Sequence, residues 1–413
     1  MKCRLCGSAD VSLILDLGTA PPSNAYLTSM MLRRPEKYFP LRVRVCESCW
    51  LVQAESYSRA AELFNEEYAY FSSFSTAWLA HAEAYTREVI SRLSLDASSH
   101  VIEVAANDGY LLQYFKAAGI PCVGIEPTAS TASAARQKGI DIVQDFLTVP
   151  LARQLAADGR SADLVVANNV LAHAPDLLDF VEACRVLLKP DGVMTCEFPH
   201  LMNLVEQNQF DTVYHEHFYY LSLQIVVDVF AKCGLRVVDV EELGTHGGSL
   251  RVWAQRDASC VAVRPSVEFI LARERQGQVC SRDYYGNLQR RAEDSKRELL
   301  CCLLRAKDRD ELVVGYGAAA KANTLLNFCG VTADLLPVVA DKSSYKQGKF
   351  LPGSRIPIVS PESLRDREPD RVVVFAWNLI DEIVGDLVKL GMQTTEILTF
   401  IPSQSHRPLR LIN

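Results

Sequence analysis

From residue 100 onward, short apolar runs alternate with segments of helical periodicity. Residues 100–105 (HVIEVA) read as a strand, 106–109 as a turn and 110–116 as a helix. Residues 121–125 form a second strand ending in Glu126-Pro127, a third strand precedes Asp145-Phe146, and 163–169 and 193–198 are two more. Near-continuous apolar strands separated by helices predict a parallel, doubly wound sheet. Its ligands should lie over the carboxyl ends of the strands, where strand order reverses. A helix over 223–233 and two strands, 235–240 and 248–254, predict a hairpin that closes this sheet.

A second α/β unit follows a long helical and charged stretch, 266–307. Residues 312–324 read as strand, glycine turn (Gly315, Gly317) and helix start, with later strands at 338–341 and 372–376. Before the first unit, residues 58–95 carry apolar positions at helical spacing and should form a connector. Within it, 67–75 is rich in aromatic and hydroxyl groups, among them Tyr68, Tyr70 and Ser73. These divisions predict three parts: 1–57, 58–256 and 257–413.

Composition narrows the picture. The 413 residues are 49% hydrophobic and 23% charged, as in ordinary globular proteins of two or three domains. A net charge of −7 and a pI near 5.7 argue against a general nucleic-acid binder. No apolar run approaches the roughly 18 residues of a membrane span, and the amino terminus lacks a signal-peptide pattern, so a cytoplasmic location is expected. The first part contains two C-x-x-C pairs, Cys3/Cys6 and Cys46/Cys49. Each pair can sit on a knuckle with both sulfurs toward one metal, and four thiolates close a tetrahedral zinc shell. The site is expected to be structural. Between the pairs, residues 17–24 read as irregular loop.

Candidate chemistry concentrates at Tyr214-His215-Glu216-His217, where groups suited to proton transfer occupy four consecutive positions. Glu126, at the end of the second strand, is placed to take both hydroxyls of a ribose, and Asp145-Phe146 to contact an adenine. The first turn is not G-x-G-x-x-G, and Glu103 and Asp108 would repel a pyrophosphate. They suit a cofactor with a positive centre and an amino-acid end, S-adenosylmethionine. Lys321, beside the glycine turn and a helix start, can hold a phosphate.

These residues together resemble the S-adenosylmethionine-dependent nucleotide-sugar C-methyltransferases, which install branching methyl groups at C-3 of deoxysugars. The resemblance spans nearly the whole chain. It runs through the four cysteines, EVAANDGYLL (103–112), GIEP (124–127), NNVLAH (168–173), EFPH (197–200), YHEH (214–217), THGGSLR (245–251) and GYGAAAKANTLLN (315–327). It departs at Ala105-Ala106, where Ala-Ser is common, and at Ala322, where glycine is common. It implies an α/β methyltransferase sheet with an N-terminal zinc-ribbon-like domain and a second, Rossmann-like C-terminal domain.

The substrate so implied is a nucleotide-diphospho 4-keto sugar, expected to carry dTDP. His217 would be the base that removes the C-3 proton. Glu216 and Tyr214 would orient it or stabilise the enolate, with His173 a second polar partner. The cofactor would lie on Glu103, Ala105, Asn107, Gly109, Glu126, Pro127, Asp145, Phe146 and Asn168. The sugar nucleotide would lie on Tyr68, Tyr70, Ser73, His200, His246, Arg251, Lys321 and Asn323. No nucleic acid or membrane partner is expected, and the chain should be a monomer or weak dimer. The competing readings are a non-catalytic or metal-dependent nucleotide-sugar-binding protein, and a nucleic-acid methyltransferase, which the acidic charge disfavours.

Overall fold

The computed structural model describes residues 1–57, 71–392 and 395–402, and the backbone alone of 405–408. Tyr68 and Tyr70 lie outside the described residues. Strands β1 (Val11–Ala20), β2 (Phe39–Cys46) and β3 (Val52–Ala54) form an antiparallel sheet. The stretch 17–24 is therefore not all loop, because β1 runs on to Ala20. Gly18 (φ 75°) lets it do so: the register slips between the pairs Asp16↔Arg42 and Thr19↔Pro40, and the strand resumes beyond a bulge.

The central sheet is built from β4 (Val101–Val104), β5 (Cys122–Ile125), β6 (Asp141–Val143), β7 (Ala162–Asn168) and β8 (Leu188–Pro199). The short β9 (Tyr219–Tyr220) leaves it to pair with β3. The hairpin β10 (Leu235–Leu243) and β11 (Ser249–Arg256) completes it. The order is β6-β5-β4-β7-β8-β11-β10, parallel except for β11, which runs antiparallel to both neighbours. Ile102, Val104, Val165 and Ala167 face one core and Val101, Leu164 and Val166 the other, which is why these strands are apolar throughout. Strand order reverses beside β4, which sets the crevice over β4 and β7.

The expected helix at 110 starts instead at Leu112, because the chain first turns through left-handed Asn107 (φ 51°) and Gly109 (φ 73°). Likewise the connector helix is Thr76–Leu93, begun by Ser75, whose side chain accepts from the Trp78 amide. The stretch 266–307 divides into Pro265–Gln276 and Leu288–Asp308, broken at left-handed Gln278 (φ 58°).

The C-terminal sheet holds β12 (Val313–Tyr316), β13 (Val339–Ala340), β14 (Ile358–Val359), β15 (Arg371–Val374), β16 (Glu396–Thr399) and β17 (Ser405–Pro408). Its order is β14-β13-β12-β15-β16-β17, with only β17 antiparallel. The three parts interlock around residues 21–27: Leu27 bridges Phe350, the Tyr26 hydroxyl donates to the Ala318 carbonyl (2.6 Å), Asn323 Nδ2 donates to the Ser23 carbonyl (2.6 Å), and the Asn24 amide donates to Glu216 Oε1 (3.2 Å).

The four cysteines converge as their spacing predicts. Gly7 (φ 75°) and Trp50 (φ 63°) give the two knuckles the same left-handed turn. The Sγ atoms of Cys3 and Cys49, and of Cys6 and Cys46, stand 3.6 Å apart, and all four lie within 4.8 Å of one another. Zinc–sulfur bonds of about 2.3 Å in a tetrahedron require a sulfur–sulfur edge of about 3.8 Å, so the set fits zinc. Cys46 is fully buried at the end of β2. Cys46→Ser should therefore lose metal and stability together, with a Tm lower by at least about 5 °C. Metal analysis and calorimetry check this; a metal-free Cys46→Ser protein of unchanged Tm would contradict it.

Candidate functional site

A cavity of about 610 Å³ opens at the carboxyl ends of the central strands, and all three parts of the chain line it. Its floor is the turn after β4. Ala105 (φ 57°) and Asn107 there take left-handed conformations, and Gly109 (φ 73°) does too, so a side chain at 109 would be strained and would press on Ile140 Cδ1 (2.3 Å from a Cβ). Glu126 ends β5 and is buried. It accepts from the Asn107 and Thr128 amides and from Thr131 Oγ1, all at 2.9 Å, while burial still pushes its carboxyl above the usual range.

Ala105, Asn107, Glu126, Pro127, Asp145, Phe146 and Asn168 all line the cavity. Gly109 and Glu103 do not. Glu103 is buried below the floor, and desolvation, with Asp108 and Glu126 nearby, drives its carboxyl well up, opposite to the ionised group the sequence suggests. Asn168 Oδ1 and both amide atoms of neighbouring Asn169 find no hydrogen-bond partner among the described residues. Asn169, held left-handed (φ 54°), carries no sequence signal of its own beyond its place in NNVLAH.

Over this floor hangs the loop 210–217. His217 Nδ1–H donates to the Thr212 carbonyl (2.9 Å), which fixes the tautomer and leaves the Nε2 lone pair to accept from the Tyr214 hydroxyl (2.8 Å). His173 Nδ1–H donates to the Glu216 carbonyl (2.7 Å), and its ring centroid lies 4.7 Å from that of His217. Burial lowers both imidazoles, His173 to about 4 and His217 well below the usual value, the latter also through His173. Both are thus neutral near pH 7. Tyr214, His217 and His173 line the cavity; Glu216 does not. Its carboxylate is buried and accepts from Asn24 N (3.2 Å) and Asn24 Nδ2 (3.3 Å), so the Thr212 carbonyl, not Glu216, orients the His217 ring. Neighbouring His215 is turned away, donating from Nε2 to the Pro40 carbonyl at 3.3 Å.

The opposite wall belongs to the hairpin and the C-terminal unit. His246 lines the cavity at a left-handed turn (φ 53°), and burial, then Lys321, lowers it to about 4. Lys321 lies over the Trp377 ring (4.0 Å) and donates to Asn378 Oδ1 (2.7 Å); burial lowers it to about 8, partly offset by Asp211. Lys346 donates to the Ala318 carbonyl (2.9 Å) and sits beside Asp341 Oδ2 (3.4 Å). Lys346 and Asn24 come from irregular segments and Asn378 from a single 3₁₀ turn (Trp377–Leu379), where periodicity carries no information. Trp78, which helical spacing assigns to packing, also lines the cavity.

Four residues expected at the sugar nucleotide are elsewhere. His200 is buried against Glu274 (2.7 Å), which also accepts from the Leu223 and Gln224 amides, so this pair anchors a helix start. Arg251 is buried among Glu197 (2.8 Å), Glu241 (3.0 Å) and Glu88 (3.1 Å). Asn323 is taken by Ser23, and the Ser73 hydroxyl accepts from Lys138 Nζ (2.8 Å) while adjacent Ser72 faces the cavity. In each case the polar side chain already has a partner within the protein.

Comparison with known proteins matches three family models in succession: "Putative zinc binding domain" over 3–64, "Methyltransferase domain" over 78–240 and "C-methyltransferase C-terminal domain" over 244–402. The chain is 34% identical over 385 residues to C-methyltransferase NovU of Streptomyces niveus, covering 93% of this chain and 91% of that one. A ubiquinone biosynthesis O-methyltransferase of Actinobacillus pleuropneumoniae is 30% identical over 104 residues, 23% of this chain and 43% of that protein. Among solved structures, magnesium protoporphyrin IX methyltransferase from Synechocystis with bound SAH aligns at 15% identity over 43% of this chain and 83% of that one, with a TM-score of 0.36. The cavity at the switch point, the four-cysteine cluster and a match to NovU along nearly the full length lead to one conclusion: the protein is a zinc-domain, S-adenosylmethionine-dependent methyltransferase belonging to the C-methyltransferase family of NovU.

Proposed function

We propose that the protein methylates C-3 of a nucleotide-linked 4-keto deoxysugar, carried on dTDP, with His217 as the base. The observation that carries this reading is the tautomer of His217, whose Nδ1–H is committed to Thr212 while Nε2 accepts from Tyr214 at the cavity wall. A ketone at C-4 acidifies the C-3 hydrogen. His217 Nε2 takes that proton, the C–H electron pair moves into the enolate, and the Tyr214 hydroxyl turns from Nε2 to the enolate oxygen as substrate enters. S-adenosylmethionine supplies the methyl group, whose bond to sulfur breaks as the bond to C-3 forms. Glu126, Asn168 and Asn107 hold that ligand at the sheet end, and Lys321 and Lys346 face the diphosphate.

Because both imidazoles are held neutral by burial, protonation should not switch the base off in the usual range. Burial disfavours the charged form, so the folded pKa is below that of a free imidazole and the basic form persists as pH falls. Exchange of the C-3 hydrogen in deuterated water should therefore stay level between about pH 8 and pH 6, where an ordinary imidazole titrates. A limb centred near the free-imidazole value would contradict it.

In the same assay, without the methyl donor, His217→Asn should slow exchange by about 10²–10⁴-fold while leaving ligand binding little changed. Near-normal exchange in this variant would move the base elsewhere. For the cofactor, Glu126→Gln is a cleaner change than Glu126→Ala, which strips the acceptor from two amides. It should weaken S-adenosylmethionine binding by roughly 1.5–3 kcal/mol in calorimetry, and unchanged affinity would remove Glu126 from the site.

A further inference from the structure

The buried carboxylate of Glu216 has no part in the cavity, yet it sits in the loop that carries the proposed base. In the described structure its Oε1 accepts from Asn24 of the zinc domain through backbone N (3.2 Å) and Nδ2 (3.3 Å), with the Ser23 backbone and its own backbone adding further support. Asn24 itself lines the cavity. It belongs to a segment clamped on both sides: the Ser23 carbonyl accepts from Asn323 and the Tyr26 hydroxyl donates to Ala318, both on the C-terminal glycine turn and its helix. At the other end of Glu216, its backbone carbonyl accepts from His173 Nδ1 (2.7 Å). A continuous chain therefore runs from zinc domain to active-site imidazole: Asn24, the Glu216 side chain, the Glu216 carbonyl, His173.

We propose that Asn24 is a positioning residue, through which the zinc domain fixes the Glu216 carbonyl and with it the tautomer and placement of His173 beside His217. Burial raises the Glu216 carboxyl above its usual range, and Asn24 supplies two of the hydrogen bonds that oppose the rise and hold the side chain in place. An acceptor at this position would face the carboxylate oxygen and push the loop away from His173. The zinc domain thus acts on the reaction without contributing a group to it. This rests on the reading of His173 and His217 as the groups beside the reacting carbon.

The test uses the full zinc-loaded chain with Asn24→Asp, of nearly equal shape, and Asn24→Ala, which keeps the backbone donor. Zinc content and Tm report folding. ¹⁵N-histidine NMR of the resting enzyme, with His173 assigned through His173→Asn, reports the tautomer without substrate or cofactor. The expected result is a wild-type His173 signal of a single Nδ1–H tautomer, lost in Asn24→Asp and partly retained in Asn24→Ala. Exchange kcat should fall roughly 10- to 100-fold in Asn24→Asp and less in Asn24→Ala, with KM for the sugar nucleotide within about twofold. An unchanged His173 signal in Asn24→Asp overturns the proposal, and so does an altered signal with wild-type kcat. Should the wild-type enzyme exchange no C-3 hydrogen, the proposed reaction fails, and the NMR comparison still decides the link from Asn24 to His173. Only a variant retaining zinc and Tm is scored, and where Asn24→Asp does not, Asn24→Ala decides: an unchanged His173 signal with unchanged exchange kcat in Asn24→Ala then overturns the proposal.

Discussion

The hydrogen bond from His217 Nδ1–H to the Thr212 carbonyl decides which nitrogen of the ring is basic, and donor and acceptor lie five residues apart in one loop. That loop has little regular structure: a single 3₁₀ turn at Phe210–Thr212 and a backbone bond from His217 N to the Tyr214 carbonyl. It keeps its shape through bonds reaching in from elsewhere. Thr324 Oγ1 donates to the Val213 carbonyl (2.7 Å), Trp377 Nε1 to Asp211 Oδ2 (2.7 Å), Asn24 to Glu216, and the Phe218 amide to the Ala172 carbonyl (2.8 Å). Two of these donors belong to the C-terminal unit and one to the zinc domain. The site is thus a place where three folding units meet.

Burial then sets the electrostatics. Three histidines at the cavity are held neutral, a lysine is brought down to about 8, and Asp211 is raised to about 6 by burial, opposed by Lys321 and Trp377. The same low dielectric that keeps imidazoles unprotonated strengthens any hydrogen bond made to a developing oxyanion. A weakly basic nitrogen suits the proposed reaction, in which a ketone acidifies the hydrogen to be removed. Away from the cavity, Arg251 is closed into a pair with Glu197, and His200 into a hydrogen bond with Glu274.

Much of this was legible in the sequence, for physical reasons that are local. Strands of the parallel sheet are buried on both faces, so their apolar runs stand out, and β4, β5, β7 and β8 appear where the pattern places them to within a few residues. Paired C-x-x-C spacing is a property of the chain, and Cys3, Cys6, Cys46 and Cys49 converge accordingly. Glu126 follows from its position at a strand end. Local patterning was less informative where a glycine changes the outcome, as at Gly18, which carries β1 through residues that otherwise look like loop.

What the sequence by itself determined is the strands of the central parallel sheet, the four-cysteine cluster and the stretch richest in proton-transfer groups, because periodicity and spacing act over a few residues. Only the tertiary structure decided which polar group meets which. Glu216 looks like the partner of His217 in sequence, yet its carboxylate turns to Asn24, 192 residues away, and the ring is set by a backbone carbonyl. Arg251, His200 and Asn323 look like ligand contacts, yet each is satisfied by a residue brought in by packing. A buried polar group must find a partner, and the identity of that partner depends on the distant segment the fold carries against it.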